Sequence, residues 1–251
     1  MSVRELGKVC FIGGAPGWED VLRSIRDALD GDQLGPVSVW APMPSGTHIK
    51  SPYWDLIAKD GPYDLLINYA PNKVPAKVIA SAKNPINLHL GPPRWPGRGS
   101  CSWALLHGDR DFGVTAHRMT DEIDAGPILG ANFFAIEPEW DAEALHRRAI
   151  ERVPSLAWRI VTVLKNSGEI PAVPYDWDRK AMKLSDLREA MRLVSPRPGF
   201  YSPGGNAYGD IKPQPLDHFI RAFGYTGKPG PTLVVDGREF VYTKKESITA
   251  K

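Results

Sequence analysis

The sequence predicts an α/β fold: a doubly wound, mainly parallel sheet through about Lys165, followed by a small C-terminal subdomain that contains a β-hairpin. Three observations carry this. The chain opens on a strand, a glycine turn and a helix; short apolar strands then alternate with helical stretches; and beyond Lys165 periodicity gives way to Pro- and Gly-marked loops that end on an Asp-Gly hairpin. Strands alternating with helices imply parallel neighbours covered on both faces. The expected division is therefore a catalytic-sized domain over 1–165 and a small subdomain over 166–251.

Element by element, Lys8 to Ile12 reads as a buried strand, Gly13-Gly14-Ala15-Pro16-Gly17 as a turn, and Trp18 to Leu29 as an amphipathic helix with Val21, Leu22, Ile25 and Leu29 on one face. Val37 to Ala41, Asp64 to Tyr69 and Ile86 to His89 are further strands, with a helix over Ala76 to Ala82. Val114 to Met119 and Pro127 to Ile136 are two more strands. Asp141 to Leu164 carries a long helical pattern with Asp141 as N-cap and Glu143 in its first turn. In the tail, Ser195-Pro196-Arg197-Pro198-Gly199 and Pro203-Gly204-Gly205 are loop chemistry. Leu216 to Phe223 is a short helix, and Thr232 to Tyr242 is two strands around Asp236-Gly237, the strongest local hairpin signal in the chain.

Composition narrows the function classes. At 251 residues the chain can bury a sizeable core, and its 42% apolar and 24% charged residues are ordinary globular usage. Apolar runs are strand-length, so the reading is a soluble protein without a membrane span. The formal net charge of +2 supplies no broad cationic field for a polyanion. Cys10 and Cys101 stand far apart with no CxxC pattern, which fits a reducing compartment, the cytoplasm, and disfavours a cysteine metal site. The first residues, Met1 to Glu5, show no targeting segment. Gly and Pro, 24 residues each, exceed average usage and point to long or conformationally specific loops.

Three stretches are candidates for chemistry. The Gly13 to Gly17 turn invites a phosphate-binding reading, but it is neither GxGxxG nor a Walker loop, and Pro16 removes one amide; a tight turn into the first helix is the competing reading. In Asn87-Leu88-His89-Leu90-Gly91-Pro92, period-2 alternation puts Asn87 and His89 on one face at a carboxyl strand end, where open α/β sheets place their ligands. An amide donor beside an imidazole suits a developing oxyanion; the alternative is that the pair caps the strand. Finally, Asp121, Glu122 and Asp124 crowd one loop after a strand, so at least one has a specific role unless the loop is simply solvated.

Asn87-x-His89 at a strand end, Pro93-Arg94-Trp95-Pro96-Gly97 after it, Ser102-Trp103-Ala104-Leu105-Leu106-His107-Gly108-Asp109 with Gly113-Val114-Thr115, and Asp124-Ala125-Gly126 match, in order and spacing, the motifs of the formyltransferases that use 10-formyltetrahydrofolate. The chain resembles that family from about Tyr63 to Leu129. It departs at Leu90-Gly91-Pro92, one residue shorter than the Ser-Leu-Leu-Pro form of many members. The resemblance implies a Rossmann-like catalytic domain with Asn87, His89 and Asp124 as the catalytic set. Asn87 donates to the formyl oxygen, His89 donates or shuttles the proton, and Asp124 fixes the His89 tautomer and stabilises its cation. No metal is required. It further implies 10-formyltetrahydrofolate as co-substrate, with Tyr69, Asn72, Lys73, Val74, Pro75, Asp121 and Ile123 at cofactor-contacting positions. For His117 packing and catalysis weigh equally, and it stays outside the catalytic set; His107 reads as helix surface.

The acceptor is expected to be a primary amine of a small molecule, with nucleic acid disfavoured by the small net charge and no membrane partner. A short helix followed by the Asp236-Gly237 hairpin resembles the appendage of sugar-nucleotide amine formyltransferases, which makes a nucleotide-linked aminosugar the first choice; a homodimer is a separate expectation. The alternatives are an amino-acid-type amine, methionyl-tRNA, or water in a formyltetrahydrofolate hydrolase. A sugar diphosphate needs cationic partners, for which Arg94 and Arg98 are candidates together with Arg179 and Lys180, and Trp95, Tyr201 or Tyr208 can face a base.

Overall fold

β1 (Val9–Gly13) is buried along its whole length, as a strand with a parallel neighbour on each side must be. The computed structural model describes residues 6–29, 37–43, 51–203, 211–236 and 238–244; the readings at Met1 to Glu5, Gly204, Gly205, Tyr208 and Gly237 lie outside the described residues. After β1, Gly17 at φ 77° turns the chain into α1 (Trp18–Ala28), which buries Val21, Leu22, Ile25 and Ala28. Then follow β2 (Val37–Trp40), α2 (Pro52–Asp60), β3 (Tyr63–Tyr69), α3 (Ala76–Ile79), β4 (Ala82–His89), α4 (Ser100–His107), β5 (Asp111–Arg118), β6 (Ile128–Ala135), α5 (Ala142–Ile150), α6 (Val153–Ser167), α7 (Leu184–Ala190), β7 (Arg192–Arg197), β8 (Phe200–Pro203), α8 (Leu216–Phe223), β9 (Pro229–Val235) and β10 (Arg238–Thr243).

The first six strands form one sheet in the order β2-β1-β3-β4-β5-β6. β1 to β4 are mutually parallel, and β5 runs antiparallel to β4. The winding therefore reverses between β1 and β3, the position at which such sheets open toward a ligand. Cys10, Ile12, Tyr63 and Leu66 of the sheet form one core cluster with Trp54 and Ile57 of α2 and Val78 of α3. On α1 and α6, which pack on each other, Val21, Ile25, Leu156, Ile160 and Leu164 are buried. At the amino ends of the strands, Asp60 accepts from Lys8 (2.6 Å), Ser38 (2.5 Å) and Tyr63 (2.9 Å), and the Lys8 ammonium holds its carboxyl below the usual range.

Four readings from sequence change. The stretch Asp141 to Leu164 is two helices, α5 and α6, because Pro154 has no N–H to continue a helix and sits in the first turn of the second one, where that donor is not needed. α3 stops at Ile79, and β4 starts at Ala82, earlier than Ile86. α2 was not anticipated. The Pro-rich segment from Ser195 joins β7 and β8 into an antiparallel pair with Gly199 at φ 78°. Pro196 is tolerated in β7 because β7 pairs with β9 only at Arg192 and Leu193, so further along it has one neighbour and a register shift.

Two compact units emerge: Met1–Pro96, Gly113–Phe133 and Ala149–Lys180 form one, and Gly97–Phe112, Phe134–Arg148 and Ala181–Lys251 the other. The second contains a sheet of order β10-β9-β7-β8, in which β9 and β10 form the expected antiparallel hairpin with Asp236 at φ 48°. In it α8 buries Phe219, Ala222 and Phe223 and packs on α4. Among the described residues, no helix is long and apolar enough to cross a membrane.

This second unit carries an acid-sensitive cluster. Lys244 Nζ contacts Asp141 (2.6 Å) and Glu143 (2.9 Å), and the hydrogen bond from Lys244, helped by Thr226, lowers the Glu143 carboxyl to about 2. Burial also holds the nearby His146 below its ordinary value. Both native values are depressed, so both groups bind protons more readily in the unfolded chain, and both contributions are present at neutral pH and lost on acidification. The His146 contribution fades as pH falls below 6.5, and the Glu143 contribution as pH falls from 4.5 to about 2. Thermal melts between pH 7 and pH 3 should show Tm falling on acidification, with Lys244→Met flattening the lower part of the decline; a Tm indifferent to Lys244→Met across that range contradicts the assignment.

Candidate active site

Strand registry builds a row of polar side chains across an otherwise apolar sheet. Asn68 on β3 lies opposite Asn87 on β4, and His117 on β5 lies opposite Asn87 on its other side. Residues paired across strands project to the same face, and two residues further along β4 is His89, at its last position. Asn68, His89 and His117 are all buried.

The loop after β5 folds back onto this row. Arg118 N–H donates to Pro127 O and Met119 N–H to Pro85 O, each at 2.9 Å. Within the loop Asp124 takes φ 45°, a left-handed conformation that Asp tolerates better than most residues. Gly126 passes so close to β5 that a Cβ there would sit 2.0 Å from Arg118 O. The result is a carboxylate only 7% exposed, with Oδ2 3.2 Å from His89 Nδ1 and Oδ1 3.1 Å from His117 Nε2. Asn87 Nδ2 donates to the same Oδ1 at 3.3 Å and lies 3.0 Å from His117 Nε2. A buried carboxylate persists only with such partners.

The outer nitrogens of both imidazoles are also engaged. His117 Nδ1 lies 2.9 Å from Arg118 O, and His89 Nε2 lies 2.9 Å from Trp95 O. Trp177 closes over the pair: its ring meets His117 edge-on at 5.0 Å and His89 at 5.9 Å, and its Nε1 donates to Gly126 O at 2.8 Å. A carboxylate bridging two imidazoles beside a carboxamide can hold and move a proton at His89 and present an N–H to a developing oxyanion. Cys10 and Cys101 offer no rival nucleophile, since burial pushes both thiols up to about 12.

Of the expected catalytic residues, His89 and Asn87 each lie within hydrogen-bonding distance of Asp124, on its two different carboxylate oxygens. The expected cofactor positions divide. Asn72 is half-buried with its Nδ2 enclosed and unpartnered among the described residues, Lys73 and Asp121 are exposed, Ile123 is 51% exposed, Val74 belongs to the core and Pro75 is buried. Tyr69 is a correction: alternation turns it to the face opposite Asn68, where its buried hydroxyl donates to Pro16 O at 3.0 Å. The glycine turn is a turn. Gly14 and Ala15 N–H both donate to Tyr69 O at 3.1 Å, so two amides of the phosphate reading are already engaged.

The substrate candidates divide as well. Arg94 is exposed with Nε 3.6 Å from Asp178, and Arg98 is exposed while its backbone N–H donates to Met182 O. Trp95 is corrected as a stacking platform: it is 1% exposed and the Arg179 guanidinium lies 4.0 Å from its ring centre. Sequence reasoning missed Asn68 and Trp177 and set His117 aside. A lone amide in the apolar run Leu65 to Ile67 was the available signal for Asn68; Trp177 had none.

Residues 72–161 match the family model described as Formyl transferase. Among solved structures, a sugar N-formyltransferase from Shewanella is similar over 97% of this chain and 99% of its own, with TM-score 0.71 and 15% identity. A 4-N formyltransferase from Francisella tularensis is similar over 98% and 100%, with TM-score 0.69 and 15% identity. The formyltransferase PseJ from Anoxybacillus kamchatkensis, in complex with UDP-4,6-dideoxy-4-formamido-L-AltNAc and tetrahydrofolate, covers 72% of this chain and 88% of its own, with TM-score 0.53 and 19% identity. At such identities the structural likeness is one of fold; the motif resemblance and the family match agree on the segment around Asn87, His89 and Asp124.

Proposed function

We propose, from the premise that residues 72–161 form a formyl transferase domain, that the chain moves a formyl group from 10-formyltetrahydrofolate to the primary amine of a nucleotide-linked aminosugar. The observation that carries the reaction type is the Asp124 carboxylate held between His89 and His117 with the Asn87 amide on the same oxygen as His117. Amine attack on a formyl carbon develops negative charge on oxygen and positive charge on nitrogen, and needs an N–H donor for one and a proton acceptor for the other.

Asn87 supplies the donor in this reading. His89 handles the proton at Nε2, which exchanges Trp95 O for the substrate, while Asp124 orients the ring through Nδ1 and balances its charge. His117 joins the set by pinning the other carboxylate oxygen. Asn72, Lys73, Asp121 and Ile123 are the folate contacts we retain, with Val74 and Pro75 as the packed base of that loop. The aminosugar is supported by the likeness to sugar N-formyltransferases and by the UDP-linked sugar that PseJ holds; Arg94 and Arg98 are assigned to the diphosphate.

The test is release of tetrahydrofolate from 10-formyltetrahydrofolate with and without UDP- or dTDP-linked aminosugars. Amine-dependent release is expected. His89→Ala should reduce turnover roughly a hundredfold or more. Release without amine makes the chain a hydrolase, and failure of nucleoside diphosphates to compete at millimolar concentration removes the nucleotide.

A further inference from the structure

We propose that Asn68 is a positioning residue that sets which end of the Asn87 carboxamide faces Asp124, an inference that rests on the reading of Asn87 as the donor to the formyl oxygen. The residue is 2% exposed and follows Leu65, Leu66 and Ile67, all buried and apolar, in β3. Burying an amide there is unfavourable unless it is hydrogen-bonded, whereas an apolar residue would need no partner. Asn68 Nδ2 donates to Asn87 Oδ1 at 2.7 Å, the shortest contact Asn87 makes in the row, and to Ala70 O at 3.3 Å. Its own Oδ1 is enclosed with no partner among the described residues.

A carboxamide is nearly symmetric in shape, so its neighbours decide where oxygen and nitrogen lie. Exchanging the two ends of Asn68 would set its oxygen against two other oxygens, Asn87 Oδ1 and Ala70 O, so the Ala70 carbonyl holds Asn68 in register. With Asn68 held, Asn87 must turn its oxygen toward β3 and its NH2 toward His117 and Asp124. The two ends of Asn87 are thereby held from opposite sides: the Asp124 carboxylate, which only accepts, takes the NH2, and Asn68, which touches neither Asp124 nor either histidine in the contacts above, holds the oxygen through the shorter bond. Without that donor, Asn87 keeps its place in the strand and its 3.3 Å bond to Asp124 but loses the 2.7 Å bond that holds its oxygen, and the NH2 is aimed by the longer contact alone. Misaiming of this kind lowers turnover more than ground-state binding.

The experiment pairs Asn68→Ala and the isosteric, non-donating Asn68→Asp with Asn87→Ala, using 10-formyltetrahydrofolate and a UDP-linked aminosugar, together with NMR of asparagine-labelled protein in which the Asn87 NH2 pair is identified by its loss in Asn87→Ala. Each Asn68 variant should lower kcat about tenfold or more with KM for the folate within about threefold, and should change turnover by less than about twofold when Asn87 is already alanine. The Asn87 NH2 protons should shift and exchange faster with solvent in both. Equal losses in the two backgrounds, a rise in KM at unchanged kcat, or unmoved Asn87 resonances overturn the proposal. If Asn68→Ala does not fold, Asn68→Asp, which conserves volume, decides it. If the parent protein transfers formyl to no amine, the functional reading fails while the Asn87 resonances still decide whether Asn68 aims that amide.

Discussion

Asp124→Asn is expected to lower formyl transfer by about ten-thousandfold, the scale seen when an orienting carboxylate beside a catalytic imidazole is made neutral. The reason lies in what converges on it. His89 Nδ1 approaches one carboxylate oxygen at 3.2 Å, while His117 Nε2 and Asn87 Nδ2 approach the other at 3.1 and 3.3 Å. An amide of the same shape keeps one acceptor oxygen and replaces the other by an NH2, so whichever way it turns a donor meets a donor or a ring nitrogen must change its proton. The charge that stabilises a protonated His89 is lost as well. Folate affinity and Tm serve as controls, because the substitution conserves volume and removes a buried charge. Turnover within tenfold of the parent would show that Asp124 serves only to shape its loop.

How much of this was legible depends on whether the relevant contact is local. Asn87 and His89 were readable because alternation along one strand and a Gly-Pro exit are properties of a few consecutive residues, and Asp124 because Asp-x-Gly recurs at a set distance in the resembled family. Asn68 and His117 were not, since what makes them part of the site is the β3–β4–β5 register, which places both opposite Asn87 and which neither strand states by itself. Trp177 is harder still: its indole reaches Gly126 O from a segment with no periodicity. The same division holds for the fold. Trp18 to Ala28 announced itself through its buried stripe, and the Asp-Gly hairpin through its turn, but Pro196 read as a loop residue because one cannot know from the chain that β7 lacks a second neighbour there. Pro154 was a local signal with two meanings, a helix interior broken or a helix begun, and only the second is realised. Trp95 shows the converse failure: an aromatic in a Pro-flanked loop is equally compatible with stacking a ligand and with being packed under Arg179.

Gly126→Ala should abolish most activity without removing any functional group, with turnover down by about a hundredfold and stability lowered by roughly 3 kcal/mol. The added methyl group would lie 2.0 Å from Arg118 O and 3.0 Å from the carbon that bears it, and these are backbone atoms at the end of a buried strand, unable to swing aside as a side chain would. Arg118 N–H is bonded to Pro127 O at 2.9 Å, so the loop is tied to β5 on the far side of Gly126 as well. Relief therefore has to come from the loop itself, and the loop carries Asp124 two residues earlier in a left-handed conformation with little freedom to compensate. The same shift moves Gly126 O away from Trp177 Nε1, loosening the ring that covers both histidines. Kinetics and thermal denaturation of Gly126→Ala, compared with Gly108→Ala, test this. Gly108 has a positive φ, 72°, with nothing within 4 Å of its added Cβ, so that substitution should cost stability alone. A Gly126→Ala protein with parental turnover would mean that the loop yields at the backbone while Asp124 stays in place, and the link drawn between the close approach at Arg118 and the geometry of the carboxylate would be lost.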